Sequence, residues 1–103
     1  MNETRIFEWD EKKAAANRSL GRPPFEDALR FNFVTAVITH DRRTDYGEER
    51  VQAIGFIGQR LHVLIYTERH QRIRIISFRK ANEREVRRYD RETGSFNPDE
   101  SDG

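Results

Sequence analysis

Hydrophobic positions along this chain change period near residue 35, and the change separates helical from strand-forming segments. The first apolar group, Ile6, Phe7 and Trp9, lies in a bulky run from Arg5 to Trp9 that reads as an edge strand. Asp10 follows as an N-cap for a helix from Glu11 to Ser19, where Ala14, Ala15 and Ala16 favour helix and permit close packing. Gly21-Arg22-Pro23-Pro24 ends that helix, because proline cannot continue it and biases its predecessor toward extended backbone. Phe25 to Phe31 then predicts a second short helix, with Phe25, Ala28 and Leu29 on one face.

From Thr35 the alternation becomes strand-like. Ala36 to Thr39 and Val51 to Ile57 are the first two runs, separated by the polar segment His40 to Arg50. Gly58-Gln59 is a natural tight turn, after which Arg60 to Thr67 and Arg72 to Arg79 complete an antiparallel meander. Asn82 caps a final helix, Glu85 sits three residues on in a capping-box position, and Glu83 with Arg87 forms an i,i+4 pair. Helices, then consecutive strands, then a helix describe an α+β fold, with the N-terminal helices and the C-terminal helix packed on one face of a small twisted antiparallel sheet. Residues 1–92 form one domain on this reading, and the acidic tail 93–103 is expected to be disordered.

Composition adds limits. A chain of 103 residues supports one small domain, and its 36% charged residues nearly cancel, with 19 Lys and Arg against 18 Asp and Glu. Seven Phe, three Tyr and one Trp supply core-forming bulk. With no cysteine there is no disulfide framework, Cys-zinc site or thiol nucleophile. No long apolar run is present and the N-terminus lacks the apolar region of a signal peptide, so the expected place of action is the cytoplasm, without a membrane partner.

The charge is unevenly placed. Between Arg69 and Arg91 there are nine Lys and Arg against three Asp and Glu, which points to a polyanionic partner. Arg72 and Arg74 alternate with Ile73 and Ile75, so the arginines project from one sheet face while the isoleucines pack on the other. Arg79 and Lys80 follow at the strand end. Guanidinium groups bind phosphate oxygens in pairs of hydrogen bonds and stay charged, which suits RNA binding and stabilisation of a phosphorane-like transition state. Tyr66 or Trp9 offers a stacking surface, against the alternative that both rings pack in the core.

Other chemistry has little support. His40, His62 and His70 show no metal-ligand spacing and no histidine–carboxylate pattern, so neither a metal nor another cofactor is called for. His70 reads as a turn residue and His62 as an ordinary strand residue. There is no nucleophile elbow or Gly-rich phosphate loop, and the many carboxylates read as solvated partners of arginine.

Three blocks taken together resemble the BrnT toxin family: FEWDEKKAAAN at Phe7 to Asn17, DYGEER at Asp45 to Arg50, and YTERHQRIRIISFRKANERE at Tyr66 to Glu85. The resemblance implies a RelE-like fold, a ribonuclease toxin that arrests growth by cutting RNA, and neutralisation by a BrnA-type antitoxin that carries a DNA-binding segment. DNA would then be met only through the antitoxin. Family members commonly carry a Lys-His-Gly turn after the first helix; here those positions read Leu20-Gly21-Arg22, so that histidine is absent and Arg22 supplies charge in its place.

A mechanism consistent with the resemblance is metal-independent: the RNA 2′-hydroxyl attacks its neighbouring phosphate, a base and an acid move protons, and arginines hold the dianionic transition state. Arg79 is the expected main phosphate ligand, assisted by Arg69, Arg74 and Lys80, with Arg72 on the same strand. Lys13, Arg22 and Arg50 are further RNA-binding candidates, and Glu49 or Tyr66 the candidates for proton transfer. The alternative is a catalytically weak or inactive homologue that binds an antitoxin or RNA. A stand-alone DNA-binding regulator fits less well, because the basic final helix is interrupted by Glu83, Glu85 and Asp90 and no helix-turn-helix precedes it.

Overall fold

β-branched and aromatic runs set the strands of a single sheet, seen in a computed structural model that describes residues 6–42 and 48–94. Expectations that fall on Arg5, on Asp45 to Gly47 and on the tail from Ser95 lie outside the described residues. The strands are β1 (Ile6–Trp9), β2 (Val37–Asp41), β3 (Arg50–Ile57), β4 (Arg60–Arg69) and β5 (Arg72–Lys80), in the order β1-β5-β4-β3-β2. Helix α1 spans Glu11–Ser19, a 3₁₀ helix spans Phe25–Arg30, and α2 spans Glu83–Thr93. The fold is α+β.

Two expectations are corrected. The sheet is mixed rather than antiparallel: β2 to β5 form the meander, but β1 runs parallel to β5, with Phe7 opposite Ile73 and Trp9 opposite Ile75. Residue periodicity carries no information on strand direction, and the long route from β1 to β5 is the crossover a parallel pair needs. The helices also lie on both faces. Ala14, Phe25 and Ala28 join Val51, Ala53, Leu64, Tyr66, Ile73, Ile75 and Phe78 in one core. On the other face Tyr89 and Val86 of α2 meet Ile54, Leu61 and Val63 in a second. This double coverage explains the near-continuous apolar run of β4, which is buried from Leu61 to Leu64. The final helix also runs through Thr93 and ends on Gly94, whose φ of 76° closes the left-handed C-cap.

A β-bulge organises the faces. Ile65 pairs with Ser77 but Tyr66 pairs with Ile75, so Ile76 is an extra residue in β5. Strict alternation would put Phe78 with Arg72 and Arg74, and Arg79 with the isoleucines. The bulge reverses this, sending Phe78 into the core at 0% exposure and turning Arg79 to the face that carries Arg72 and Arg74. Burying a phenylalanine in this way is worth about 1.5–3 kcal/mol. The turn between β4 and β5 places His70 and Gln71 at φ values of 52° and 68°, the pairing of a type I′ hairpin.

β1 covers β5 only as far as Ile75, which leaves the later backbone of β5 on an open edge. Asn17 of α1 closes it. Its side-chain amide donates to the Phe78 carbonyl at 2.8 Å and accepts from the Phe78 N–H at 3.4 Å, standing in for the missing peptide unit of a neighbouring strand. The same Nδ2 donates to the Pro23 carbonyl at 3.1 Å, so one buried amide joins α1, the proline turn and β5. Asn17→Ala is expected to destabilise the protein by about 1–3 kcal/mol through buried unpaired groups. Asn17→Asp should fare nearly as badly, because a carboxylate cannot donate to the two carbonyls. Thermal unfolding of both variants checks this, and a wild-type melting temperature for either would contradict it.

Candidate nucleic-acid interface

Helix α2 covers only part of its sheet face. Beneath it lies an apolar row in which Arg79, Val63, Ile54 and Val37 are successive cross-strand neighbours. The next row, Ser77, Ile65, Gln52 and Thr39, is mostly polar, and beyond it Glu8, Arg74 and Thr67 stand side by side on β1, β5 and β4. Polarity therefore rises steadily away from the helix. At the far end Arg72 pairs with Arg69 across the β4–β5 hairpin.

Arg72 and Arg74 share one carboxylate. Glu8 on β1 accepts from Arg72 at 3.4 Å and from Arg74 at 3.3 Å, and all three side chains are partly solvated. Arg69 pairs with Glu48 at 2.5 Å, and that pairing raises the guanidinium pKa further. Such exposed pairs add little stability, but they hold the guanidiniums in place. Two cations facing one anion leave a net positive surface with N–H donors still available to a ligand.

Arg79 is differently engaged. Its Nη1 donates to Glu85 Oε1 at 2.8 Å and its Nη2 to Oε2 at 2.7 Å, while the same Oε1 accepts from the Asn82 N–H at 2.9 Å in the capping box of α2. Arg79 thus clamps β5 to the first turn of α2. With Arg22, Lys80, Gly21 and Pro23 it also lines a shallow groove of about 440 Å³ on the β5 edge. There Arg22 donates at 3.4 Å to Ser77 Oγ and to Asn17 Oδ1, both neutral.

The candidates drawn from sequence therefore fall into two groups. Arg69, Arg72 and Arg74 meet at one end of β4 and β5, with Arg50 on the adjoining end of β3. Arg22, Arg79 and Lys80 meet at the other. The groups lie roughly 20 Å apart, at about 3.3 Å per strand residue. Tyr66 joins neither, because it is 3% exposed on the opposite face with its ring edge-on to Phe33. Trp9 also faces that core, against Phe25. Lys13 is exposed on α1.

Glu49 is found in an arrangement that sequence reading missed. It lies immediately before β3, where its Oε2 accepts from Arg42 at 2.8 Å and meets His40 Nδ1 at 2.9 Å. The Arg42 hydrogen bond holds this carboxyl below the ordinary carboxylate range, His40 acts in the same direction, and desolvation opposes both. His40 and Glu49 are nine positions apart and meet only because β2 and β3 pair with His40 opposite Val51. A hairpin register drawn across the polar segment would have been the signal. His62, in contrast, is buried and stacked on Phe78 at 5.3 Å, and burial lowers its pKa. Among the described residues no group of three or more His, Asp or Glu is placed to hold a metal ion, and no helix is long and apolar enough to cross a membrane.

Comparison with known families decides the broader identity. Residues 9–85 match the family described as ribonuclease toxin, BrnT, of type II toxin-antitoxin system. The chain belongs to the BrnT family. No individual curated protein matches it. Membership brings an RNA target and an antitoxin partner, and the BrnT match spans both arginine groups as well as His40 and Glu49.

The Arg79–Glu85 clamp has a pH signature. Arg79, and secondarily the Asn82 N–H, lower the Glu85 pKa against the opposing effect of burial. A carboxyl depressed in the folded state contributes stability above its unfolded value, near 4.3, and loses it as pH falls through the folded value. The melting temperature should therefore drop below about pH 4.3, and Glu85→Gln should flatten part of that fall. Arg79→Ala is expected to cost about 1.5–3 kcal/mol at neutral pH. An unchanged acid slope in Glu85→Gln would contradict the clamp.

Proposed function

We propose that this BrnT-family chain is a metal-independent endoribonuclease that acts in the cytoplasm, arrests growth by cutting RNA, and is neutralised by a BrnA-type antitoxin. A RelE-like fold and contact with DNA only through the antitoxin belong to the same reading. The observation that carries it is the pair Arg72 and Arg74 sharing the single carboxylate of Glu8, with Arg69 beside them. This arrangement fixes guanidiniums on an open sheet surface while leaving positive charge for phosphate.

In this reading Arg69, Arg72 and Arg74 hold the phosphates around the scissile bond, with Arg50 next to them. Arg79 acts mainly through the architecture, since Glu85 already occupies its paired donors. Arg22 and Lys80 extend the contact with RNA at the far groove, where Arg22 stands in the turn that lacks the family histidine. The same gap favours a second reading, a non-catalytic module that binds RNA or an antitoxin.

Purified protein is expected to degrade RNA in a chelating buffer, and its expression to stop growth until a BrnA-type antitoxin is co-expressed. Intact RNA and normal growth with a well-folded chain would support the second reading instead. The double variant Arg72→Ala/Arg74→Ala should weaken RNA binding and flatten the dependence of log Kd on log salt by about 0.7 for each phosphate that is no longer neutralised. An unaltered slope would place the phosphates elsewhere.

A further inference from the structure

The end of the sheet that carries Arg69 also carries a histidine seated on a carboxylate. His40, Glu48, Glu49, Thr67 and Arg69 line one small cavity of about 330 Å³ where β2, β3 and β4 begin or end. His40 Nδ1 lies 2.9 Å from Glu49 Oε2, and Arg42 Nε donates to the same oxygen at 2.8 Å. An ionised carboxylate only accepts, so Nδ1 carries the hydrogen of this contact, which leaves Nε2 as the ring nitrogen available to a substrate. The side chain of His40 is 50% exposed, which leaves the ring open to a large substrate.

We propose that His40 is the proton-transfer group of RNA cleavage, with Glu49 as the residue that positions its ring and Arg69 as the nearest phosphate ligand. The inference rests on the ribonuclease reading and adds its missing base. His40 Nε2 takes the proton from a ribose 2′-hydroxyl as the O2′–P bond forms and the P–O5′ bond breaks. Water protonates the leaving 5′ oxygen, and the imidazolium returns its proton to the hydroxide so formed. The products are a 2′,3′-cyclic phosphate and a free 5′-hydroxyl, and the histidine ends neutral. Four carboxylates, Asp41, Glu48, Glu49 and Glu68, and three guanidiniums, Arg42, Arg50 and Arg69, line the two cavities that border the ring. By register His40 shares its face with Val51 and Tyr66, opposite Arg72 and Arg74, so Arg69, which lines the same cavity at the strand end, is the cation that the transition-state dianion meets beside the base.

The test is single-turnover cleavage of an RNA oligonucleotide by the full chain and its variants, with RNA affinity and melting temperature measured alongside. His40→Ala is expected to slow cleavage by about 10²–10⁴-fold, with affinity and melting temperature retained and part of the rate restored by added imidazole. His40→Gln should be equally slow, which guards against a folding defect in the alanine variant. Glu49→Gln should lower kcat by less, with KM unchanged. Cleavage at the wild-type rate by both His40 variants would overturn the inference and leave the ribonuclease reading standing. Absence of cleavage by the wild type, with its RNA bound, would overturn both.

Discussion

The extra residue Ile76 in β5 is the constraint on which the arrangement depends. A bulge adds one residue and inverts the alternation that follows it. Here the inversion meets two needs at once. Phe78 enters the core formed with α1 and the 3₁₀ helix, and Arg79 reaches Glu85, which fixes the first turn of α2. Without the extra residue the same strand would bury a guanidinium and expose a phenylalanine. Burial of an unpaired charge is far costlier than the local loss of a ladder hydrogen bond.

Placement of α2 then decides where function can reside. The helix carries few inward apolar residues, chiefly Val86 and Tyr89, so it covers only the apolar row of the sheet. Tyr89 further anchors it by donating from its hydroxyl to the Thr35 carbonyl at 2.8 Å. The strand ends beyond the helix stay open, and they hold the arginines, Glu8 and the His40–Glu49 pair. A sheet with both faces fully covered could not offer such a surface to RNA.

Much of this was legible in the chain. The helix caps at Asp10 and Asn82, the Gly58-Gln59 turn and the four meander strands follow from local rules, and each is present in the structure. The spacing of Ile73, Ile75 and Phe78, two and then three, records the bulge, although simple alternation passes over it. Strand direction for β1 and the side on which α2 packs depend on tertiary contacts that periodicity does not encode. The candidate site was legible as a set of cations but not as a geometry. Arg79 and Arg74 look equivalent in sequence, yet one is held by a helix cap and the other shares its carboxylate with Arg72. His40 and Glu49 were invisible as a pair because a cross-strand register brings them together.

The central claim is that RNA is bound and cut at the end of the sheet carrying Arg69, Arg72, Arg74 and His40. Amide chemical-shift mapping with an uncleavable 2′-deoxy oligonucleotide tests it most directly. The account predicts the largest shifts at Thr39 to Asp41, Glu49 to Gln52 and Thr67 to Arg74, with smaller changes near Arg22 and Lys80. Shifts confined to Gly21, Arg22 and the Arg79 to Ala81 segment would contradict it.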